Sequence, residues 1–297
     1  MRKRNILNSP GLMELKRRRR KIFLNKILIS IFSLIVIFAG LAYISRISVL
    51  NIKDTEVAGN KVIDAEAIKS AVSRVTSGNY LWLFPRTNIL FYPQSNIKVA
   101  LIEEFKRLEN VDLSIKNYKI LKVSVTEREG VYTWCGDVPS ESNNESKCYF
   151  MDKSGYIFDE APFFSGDVYF KFYGKLDLKD DSPLGANFSP ENFSKLVSFK
   201  KSLEDIGLKP EVLYTNDDGS IRIFLPIQKG SREPYIVLDA DDDFQKSAEN
   251  LELALSTEPL LSDFKNKYSS LEYIDLRYGN KVYYRFSAQG GSASGGR

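Results

Sequence analysis

The stretch "IKVALIEEFKRLENVDLSIKNYKILKVSVTERE", Ile97–Glu129, changes from a helical to a β-type hydrophobic period within one run. Its first part spaces apolar residues three and four apart, as in an amphipathic helix: Val99, Ile102, Phe105 and Leu108. Ser95 is the expected N-cap of that helix. Its second part alternates with period two: Leu113 and Ile115, then Leu121, Val123 and Val125. We predict a helix followed by a β-hairpin.

The segment before this stretch predicts another strand and another helix. "SVLNIKDTEVAGN", Ser48–Asn60, alternates loosely and ends in a Gly-Asn turn signal. "DAEAIKSAVSRV" begins at Asp64, a favourable N-cap, and has one apolar face: Ala67, Ile68, Ala71, Val72 and Val75. The predicted order is therefore strand, helix, helix, strand, strand, and it ends near Glu129.

Further towards the N-terminus, "ILISIFSLIVIFAGLAYI", Ile27–Ile44, runs for eighteen residues without a charge. As a helix it would be about 27 Å long, close to the roughly 30 Å of a bilayer core. We predict an uncleaved transmembrane helix. A buried core helix and a cleaved signal peptide are the alternatives, the latter because "GLA" precedes Tyr43; the run exceeds the usual signal core of about 7 to 15 residues.

Basic residues are concentrated before this apolar run. Ten of the 42 Lys and Arg residues lie between Met1 and Lys26 with one acid, Glu14, which leaves 32 basic and 37 acidic residues for the rest. Such clusters stay on the cytoplasmic side, so everything after residue 45 is expected outside the cytoplasm. "KRRRRK" beside a span is expected to attract anionic lipid, and no nucleic-acid partner is expected.

The chain has no His and two cysteines, Cys135 and Cys148. The missing His excludes Ser/His and Cys/His nucleophiles and imidazole metal sites. The cysteines end and begin two strand-like runs, "VYTWC" and "CYFMD", so a hairpin with a long polar loop would bring them together. A disulfide is expected on the oxidising side of a membrane, with two free buried thiols as the alternative.

The region after residue 130 is rich in short strand patterns. They are "VYTWC", "CYFMD", "YIFDEA", "DVYFKFYG", "SIRIFLPI" and "PYIVLDA". "SPENFSKLVSFKKSLEDIG" and "FQKSAENLELAL" are typical of helices. The Asp cluster of residues 239 and 241–243 lacks the Gly and Glu of an EF-hand loop, so we interpret it as a strand end and a helix cap.

The last structured stretch, "YIDLRYGNKVYYRF", Tyr273–Phe286, predicts a β-hairpin. A two-residue loop, Gly279-Asn280, would mix apolar and charged side chains on one face. A three-residue loop, Gly279–Lys281, makes one face wholly apolar and is preferred: Ile274, Leu276, Tyr278, Val282, Tyr284 and Phe286. The other face would then pair Asp275 with Arg285 and Arg277 with Tyr283.

In this order and spacing the motifs resemble a known family. A positively flanked span, "VAGNKVIDAEAIKSAV", a second helix and a hairpin ending "VSVTEREG" resemble the POTRA domain of the bacterial cell-division family FtsQ, also called DivIB. "YIDLRYGNKVYYR" is similar to the C-terminal strand pair of that family. The chain departs from the family pattern at three places: the Cys135–Cys148 insertion, Asn117-Tyr118 where a proline is common, and Gly130 where a proline is usual.

The expected fold class is α+β: a single N-terminal transmembrane helix, a β-α-α-β-β POTRA domain and a β-rich mixed domain that ends in a hairpin. The expected boundaries are a basic cytoplasmic tail over 1–26, the transmembrane helix over 27–44, the POTRA domain over 45–130, the β-domain over 131–287 and a flexible Gly/Ser tail over 288–297.

The resemblance implies a non-enzymatic, single-pass protein of the inner (cytoplasmic) membrane that acts at the division septum. It implies that the β-domain recruits or bridges partners of the FtsB/FtsL type, with Arg277 and Tyr278 at the contact. Independently, the last strand of a sheet offers unpaired backbone groups to which a partner strand can add. The candidate partner-binding residues are Arg277, Tyr278, Lys281, Val282, Tyr283 and Arg285.

Two other classes of function compete with a division scaffold. One is a POTRA-bearing transport, secretion or envelope-assembly factor. The other is a membrane-anchored hydrolase with paired carboxylates, for example Asp159 and Glu160, although no spacing singles out an acid pair. We expect no catalytic residue, cofactor or metal.

Overall fold

The computed structural model describes residues 10–139, 147–164, 168–178, 182–189, 191–227 and 233–287. The chain forms two compact units, Met1–Glu127 and Arg128–Arg297. Helices and a large β-sheet are both present, as the predicted α+β class requires. The predicted flexible tail, 288–297, and the first nine residues of the basic tail lie outside the described residues.

The first unit begins with a long apolar helix, α1 (Pro10–Ser45), of 36 residues. Its part from Glu14 to Ser45 contains a window with a mean hydropathy of 2.7, of which 6% is buried. A core helix would be mostly buried, whereas α1 is long and apolar enough to cross a membrane. A signal sequence near the N-terminus meets the same criterion.

The rest of the first unit is a three-stranded sheet with two helices and a small two-stranded ribbon. In chain order the elements are β1 (Asp54–Ala58), α2 (Ala65–Thr76), β2 (Asn79–Tyr80), β3 (Phe84–Pro85), α3 (Gln94–Glu104), β4 (Leu108–Lys116) and β5 (Ile120–Glu127). The sheet order is β1-β5-β4, with β1 parallel and β4 antiparallel to the central β5. The pair β2-β3 forms a separate ribbon between the two helices.

The buried face of α3 differs from the predicted one. Ile97 and Leu101 are fully buried, whereas Val99 and Ile102 are exposed. The N-cap is Pro93 and not Ser95. Because α3 carries apolar residues on two faces, spacing alone allows both orientations, and packing against α2 and β4 buries the Ile97 face.

The second unit is built on a nine-stranded sheet. Its strands are β6 (Tyr132–Trp134), β7 (Tyr149–Met151), β8 (Ile157–Glu160), β9 (Lys171–Tyr173), β10 (Val212–Thr215), β11 (Ser220–Phe224), β12 (Tyr235–Asp239), β13 (Leu271–Tyr278) and β14 (Lys281–Phe286). Its helices are α4 (Phe193–Asp205), α5 (Phe244–Leu255) and α6 (Leu260–Lys267). The sheet order is β14-β13-β12-β11-β10-β9-β6-β7-β8.

Helices α4 and α5 pack on one face of this sheet. Phe199 of α4 and Leu251 of α5 join Ile236 and Ile274 of the strands in one apolar core. The N-cap of α5 is Asp243, whose carboxylate accepts a hydrogen bond from the Lys246 backbone N–H at 3.2 Å. That bond agrees with the capping role predicted for the Asp cluster. Strand β10 and helix α6 are present although the sequence analysis did not predict them.

The two cysteines lie beside the antiparallel pair β6-β7, in which Trp134 is opposite Tyr149. A disulfide joins Cys135 to Cys148, and their Cα atoms are 4.1 Å apart. Most of the polar loop between them, residues 140–146, lies outside the described residues. The bond therefore closes the loop at the point where the two strands separate.

Candidate functional site

The hairpin β13-β14 ends the nine-stranded sheet. Among the described residues, β14 pairs with β13 alone, so its other side has no strand neighbour. The opposite edge of the sheet is β8. An edge strand exposes backbone N–H and C=O groups to which another chain can add.

The register of this hairpin differs from the preferred prediction. Tyr278 is opposite Lys281, so the loop has two residues, Gly279 and Asn280, and Lys281 belongs to the strand. Further from the turn, Asp275 is opposite Tyr283 and not Arg285. Gly279 has a φ of 66°, which glycine adopts without steric cost at the first position of a two-residue turn.

A β-bulge reconciles the short loop with an apolar inner face. Strand β13 has two residues between Asp275 and Tyr278, whereas β14 has one residue between their partners Tyr283 and Lys281. The extra residue shifts the side-chain alternation of β13 by one position. Leu276, Val282 and Tyr284 therefore still face the core, as predicted. Tyr278, which was predicted to be buried, is instead 57% exposed on the side of Lys281.

The ion pairs of the hairpin also differ from the prediction. Asp275 is 6% exposed and pairs with Arg277 of its own strand. Its Oδ1 accepts hydrogen bonds from the Arg277 backbone N–H at 3.1 Å and from Nε at 3.0 Å, and Oδ2 accepts from Nη2 at 2.7 Å. Arg285 pairs with Glu272 at 3.0 Å. The predicted Asp275–Arg285 and Arg277–Tyr283 pairs are wrong.

The contact with Asp275 stabilises the charged form of the Arg277 guanidinium. The hydrogen bonds to the Asp275 carboxylate raise the pKa of the guanidinium above its ordinary value, and burial opposes them only in part. At the end of β12, burial and the neighbouring Asp242 carboxylate raise the pKa of Asp239. Arg277 therefore acts as the counter-ion of a buried acid, which limits its freedom to contact a partner.

The face of the sheet that lies opposite the main core carries two rows of side chains across four strands. Strand register places Phe224, Tyr235, Tyr273 and Arg285 in one row, and Arg222, Val237, Asp275 and Tyr283 in the next. We call these eight residues the outer rows. The rings of Tyr235 and Tyr273 stack with centroids 6.0 Å apart, and the Arg222 guanidinium lies 5.3 Å from the Tyr235 centroid.

The outer rows reach the edge through alternate residues of β14. Lys281, Tyr283 and Arg285 are exposed, whereas Val282, Tyr284 and Phe286 pack against the core. Tyr283 contacts Tyr278 edge to face, with ring centroids 5.0 Å apart. The edge therefore presents two cations and an aromatic pair beside its free backbone groups.

Four of the six candidate residues share this outer side: Tyr278, Lys281, Tyr283 and Arg285. Arg277 is held by Asp275, and the Val282 side chain faces inward, so only its backbone belongs to the edge. Tyr235, Tyr273 and Arg222 also lie in the outer rows, although none of them was among the predicted site residues. Their alternation with buried Ile236, Ile274 and Ile223 is the signal that could have assigned them to one face.

None of the known protein-family models matches this chain, and no curated protein sequence matches it as a relative. The site is thus defined by its own geometry: an open strand edge, flanked by an aromatic and cationic surface.

Proposed function

We propose that the chain is a non-enzymatic, bitopic scaffold of the bacterial division machinery, as its resemblance to FtsQ/DivIB implies. Its C-terminal unit binds division proteins of the FtsB/FtsL type by strand addition to β14. The observation that supports this function best is the open β14 edge, on which the outward side chains are Lys281, Tyr283 and Arg285. Backbone pairing supplies affinity in this mode, and alternate side chains supply specificity.

The proposed topology follows from α1 and the charges before it. The helix spans the inner membrane once, the basic tail stays in the cytoplasm near anionic lipid, and both folded units face outward. The order strand, helix, helix, strand, strand in the first unit, with the β2-β3 ribbon between the helices, supports our assignment of this unit as a POTRA domain. The protein acts at the division septum, where its outer unit meets its partners.

The charges of the edge indicate the chemistry of the partner strand. Lys281 has no ion-pair partner among the described residues, whereas Glu272 already neutralises Arg285. A partner strand with an acidic residue opposite Lys281 and an apolar residue near Tyr278 and Tyr283 would complement this edge.

We test this function by measuring partner affinity for two variants, Tyr283→Ala and Lys281→Glu. Each is expected to weaken binding to the co-reconstituted FtsB/FtsL-type partners at least about tenfold, equivalent to about 1.4 kcal/mol. Tyr283 supplies the aromatic contact and Lys281 the unpaired cation. Both side chains are exposed, so the free energy of unfolding should remain close to that of the parent protein.

The matched control is Lys201→Glu, which makes the same charge reversal at an exposed site on α4. That variant should bind like the parent protein. Arg277→Glu is a poor test, because it would place a second carboxylate beside buried Asp275 and would disturb the fold. If Tyr283→Ala and Lys281→Glu fold normally and bind with parental affinity, the docking edge is not β14.

A further inference from the structure

The loop between β2 and β3 holds large apolar side chains away from the protein. Leu81 is 80% exposed and Trp82 is 90% exposed. Both adopt the left-handed backbone region, with φ values of 47° and 60°, which is uncommon for residues other than glycine. The core of the first unit includes neither residue. Packing within the unit therefore does not explain why these residue types occupy the tip.

Hydrogen bonds connect this ribbon, and the segment that follows it, to the C-terminal end of α1. The Arg46 guanidinium donates to the carbonyl oxygens of Trp82 and Leu83, each at 3.3 Å. Asn88, which is 1% exposed, donates from Nδ2 to the Ser45 carbonyl at 3.0 Å. The tip is thus held beside the point at which the apolar helix ends.

Two other segments of the first unit also expose apolar side chains. Leu90 is exposed, and it lines a shallow groove together with Tyr118 at the β4-β5 turn. Tyr118 is 74% exposed and also has a positive φ, of 58°. On α1 itself, Tyr43 is exposed two residues before Ser45. We call Leu81, Trp82, Leu90 and Tyr118 the helix-exit surface.

We propose that the helix-exit surface inserts into the headgroup and upper acyl layer of the leaflet from which α1 emerges. This inference rests on the proposed transmembrane span of α1. The occupant is phospholipid, because the β2-β3 tip is hydrogen-bonded to the end of the membrane helix through Arg46, and the surface combines Trp and Tyr with that cation. Aromatic rings with a polar atom partition to this layer, where cations meet lipid phosphates. The first unit is therefore held against the bilayer at two places.

The two tryptophans of the chain make this insertion measurable. Trp134 is buried and donates from Nε1 to the Gly174 carbonyl at 2.9 Å, whereas Trp82 is exposed. We compare the full chain with its Trp82→Phe variant, both reconstituted in phosphatidylcholine vesicles. The difference between their emission spectra is the contribution of Trp82.

The Trp82 contribution to the emission should be blue-shifted relative to tryptophan in water. It should also be shielded from iodide and quenched by brominated lipid. Bromines near the headgroup should quench it more than bromines near the chain ends, because the insertion is shallow. The emission of Trp134, which remains in the Trp82→Phe variant, should be quenched by neither of the two brominated lipids. Quenching of this kind supports insertion at the depth proposed.

Three results would overturn the proposal. A chain that is washed from the vesicles by alkaline carbonate contradicts the span of α1, and the helix-exit surface loses its basis with it. A chain that stays in the vesicles while Trp82 emits as in water and is fully open to iodide contradicts only the inserted surface. Shielding of Trp82 that needs a co-reconstituted division protein assigns the surface to that protein instead of lipid.

Discussion

Glu127, the last residue of β5, binds the turn between β1 and α2 through its carboxylate. Its Oε1 accepts hydrogen bonds from the backbone N–H groups of Lys61, Val62 and Ile63 at 2.7, 3.0 and 3.0 Å. Burial disfavours the ionised carboxylate, but these three donors outweigh burial, and the pKa of Glu127 is lowered. The carboxylate thereby fixes the turn that leads from β1 to α2.

Glu127→Gln is expected to lower the free energy of unfolding by about 1 to 2 kcal/mol at pH 7, because an amide accepts these bonds more weakly than a carboxylate. The lowered pKa also gives a pH dependence. The stabilisation is complete above the ordinary value of 4.5 and is lost as the pH falls through the folded pKa. Urea unfolding of the full chain in nanodiscs, at pH 7 and below pH 4.5, measures both effects.

The variant itself is the control for acid titration. The parent protein should lose its advantage over Glu127→Gln as the solution is acidified. An equal difference in unfolding free energy at both pH values would show that the charge of Glu127 does not stabilise the turn.

At the scale of elements, the positions of helices and strands were easier to predict than their faces. Amphipathic α2 buries Ile68, Ala71 and Val72, as its single apolar stripe indicates. Helix α3 has apolar residues on two sides, so only its neighbours decide which side is buried. The bulge in β13 has no sequence signal of its own. It arises because the Gly279-Asn280 turn and the apolar inner face cannot both be satisfied by regular pairing.

The disulfide is expected to stabilise the β6-β7 pair through the loop that it closes. Cys135 and Cys148 are separated by 13 positions, so removing the cross-link should lower the free energy of unfolding by about 3 kcal/mol in the loop-entropy model. Denaturant unfolding of the Cys135→Ser/Cys148→Ser double variant gives that difference. Treating the parent protein with a reductant should reproduce it.

Treating the double variant with the same reductant controls for any effect of the two serine side chains on stability. It should leave the stability of the double variant unchanged. If the parent protein unfolds at the same denaturant concentration with and without the reductant, the cross-link contributes nothing to the stability of the folded chain.

For the whole molecule, the sequence carries a strong signal for an N-terminal apolar helix and a weaker one for the open β14 edge of the nine-stranded sheet. The uncharged run Ile27–Ile44 is long enough to predict the helix directly. The position of β14 at the edge depends on the strand order of the sheet. In that order β13 pairs in parallel with β12, and β14 is outermost. Local alternation cannot reveal that order. The outer rows run across β11, β12, β13 and β14, so they became visible only with the strand order and register.

The proposed orientation predicts the behaviour of a reporter fused after Arg297. An alkaline phosphatase fusion at that point should be active, because its disulfides form only outside the cytoplasm. A β-galactosidase fusion at the same position should be inactive. A matched phosphatase fusion to the N-terminal tail should also be inactive. Activity of the β-galactosidase fusion after Arg297 would place the two folded units in the cytoplasm and refute the orientation.

The most direct test of strand addition is residue-resolved hydrogen–deuterium exchange of the full chain in nanodiscs, with and without FtsB/FtsL-type partners. Alternate amides of Lys281–Phe286 should exchange at least about tenfold more slowly in the complex, because alternate N–H groups of an edge strand point towards an added strand. The opposite edge, Ile157–Glu160, should exchange at an unchanged rate. Partner binding that leaves the β14 amides unchanged, or that protects β8 instead, would contradict the account.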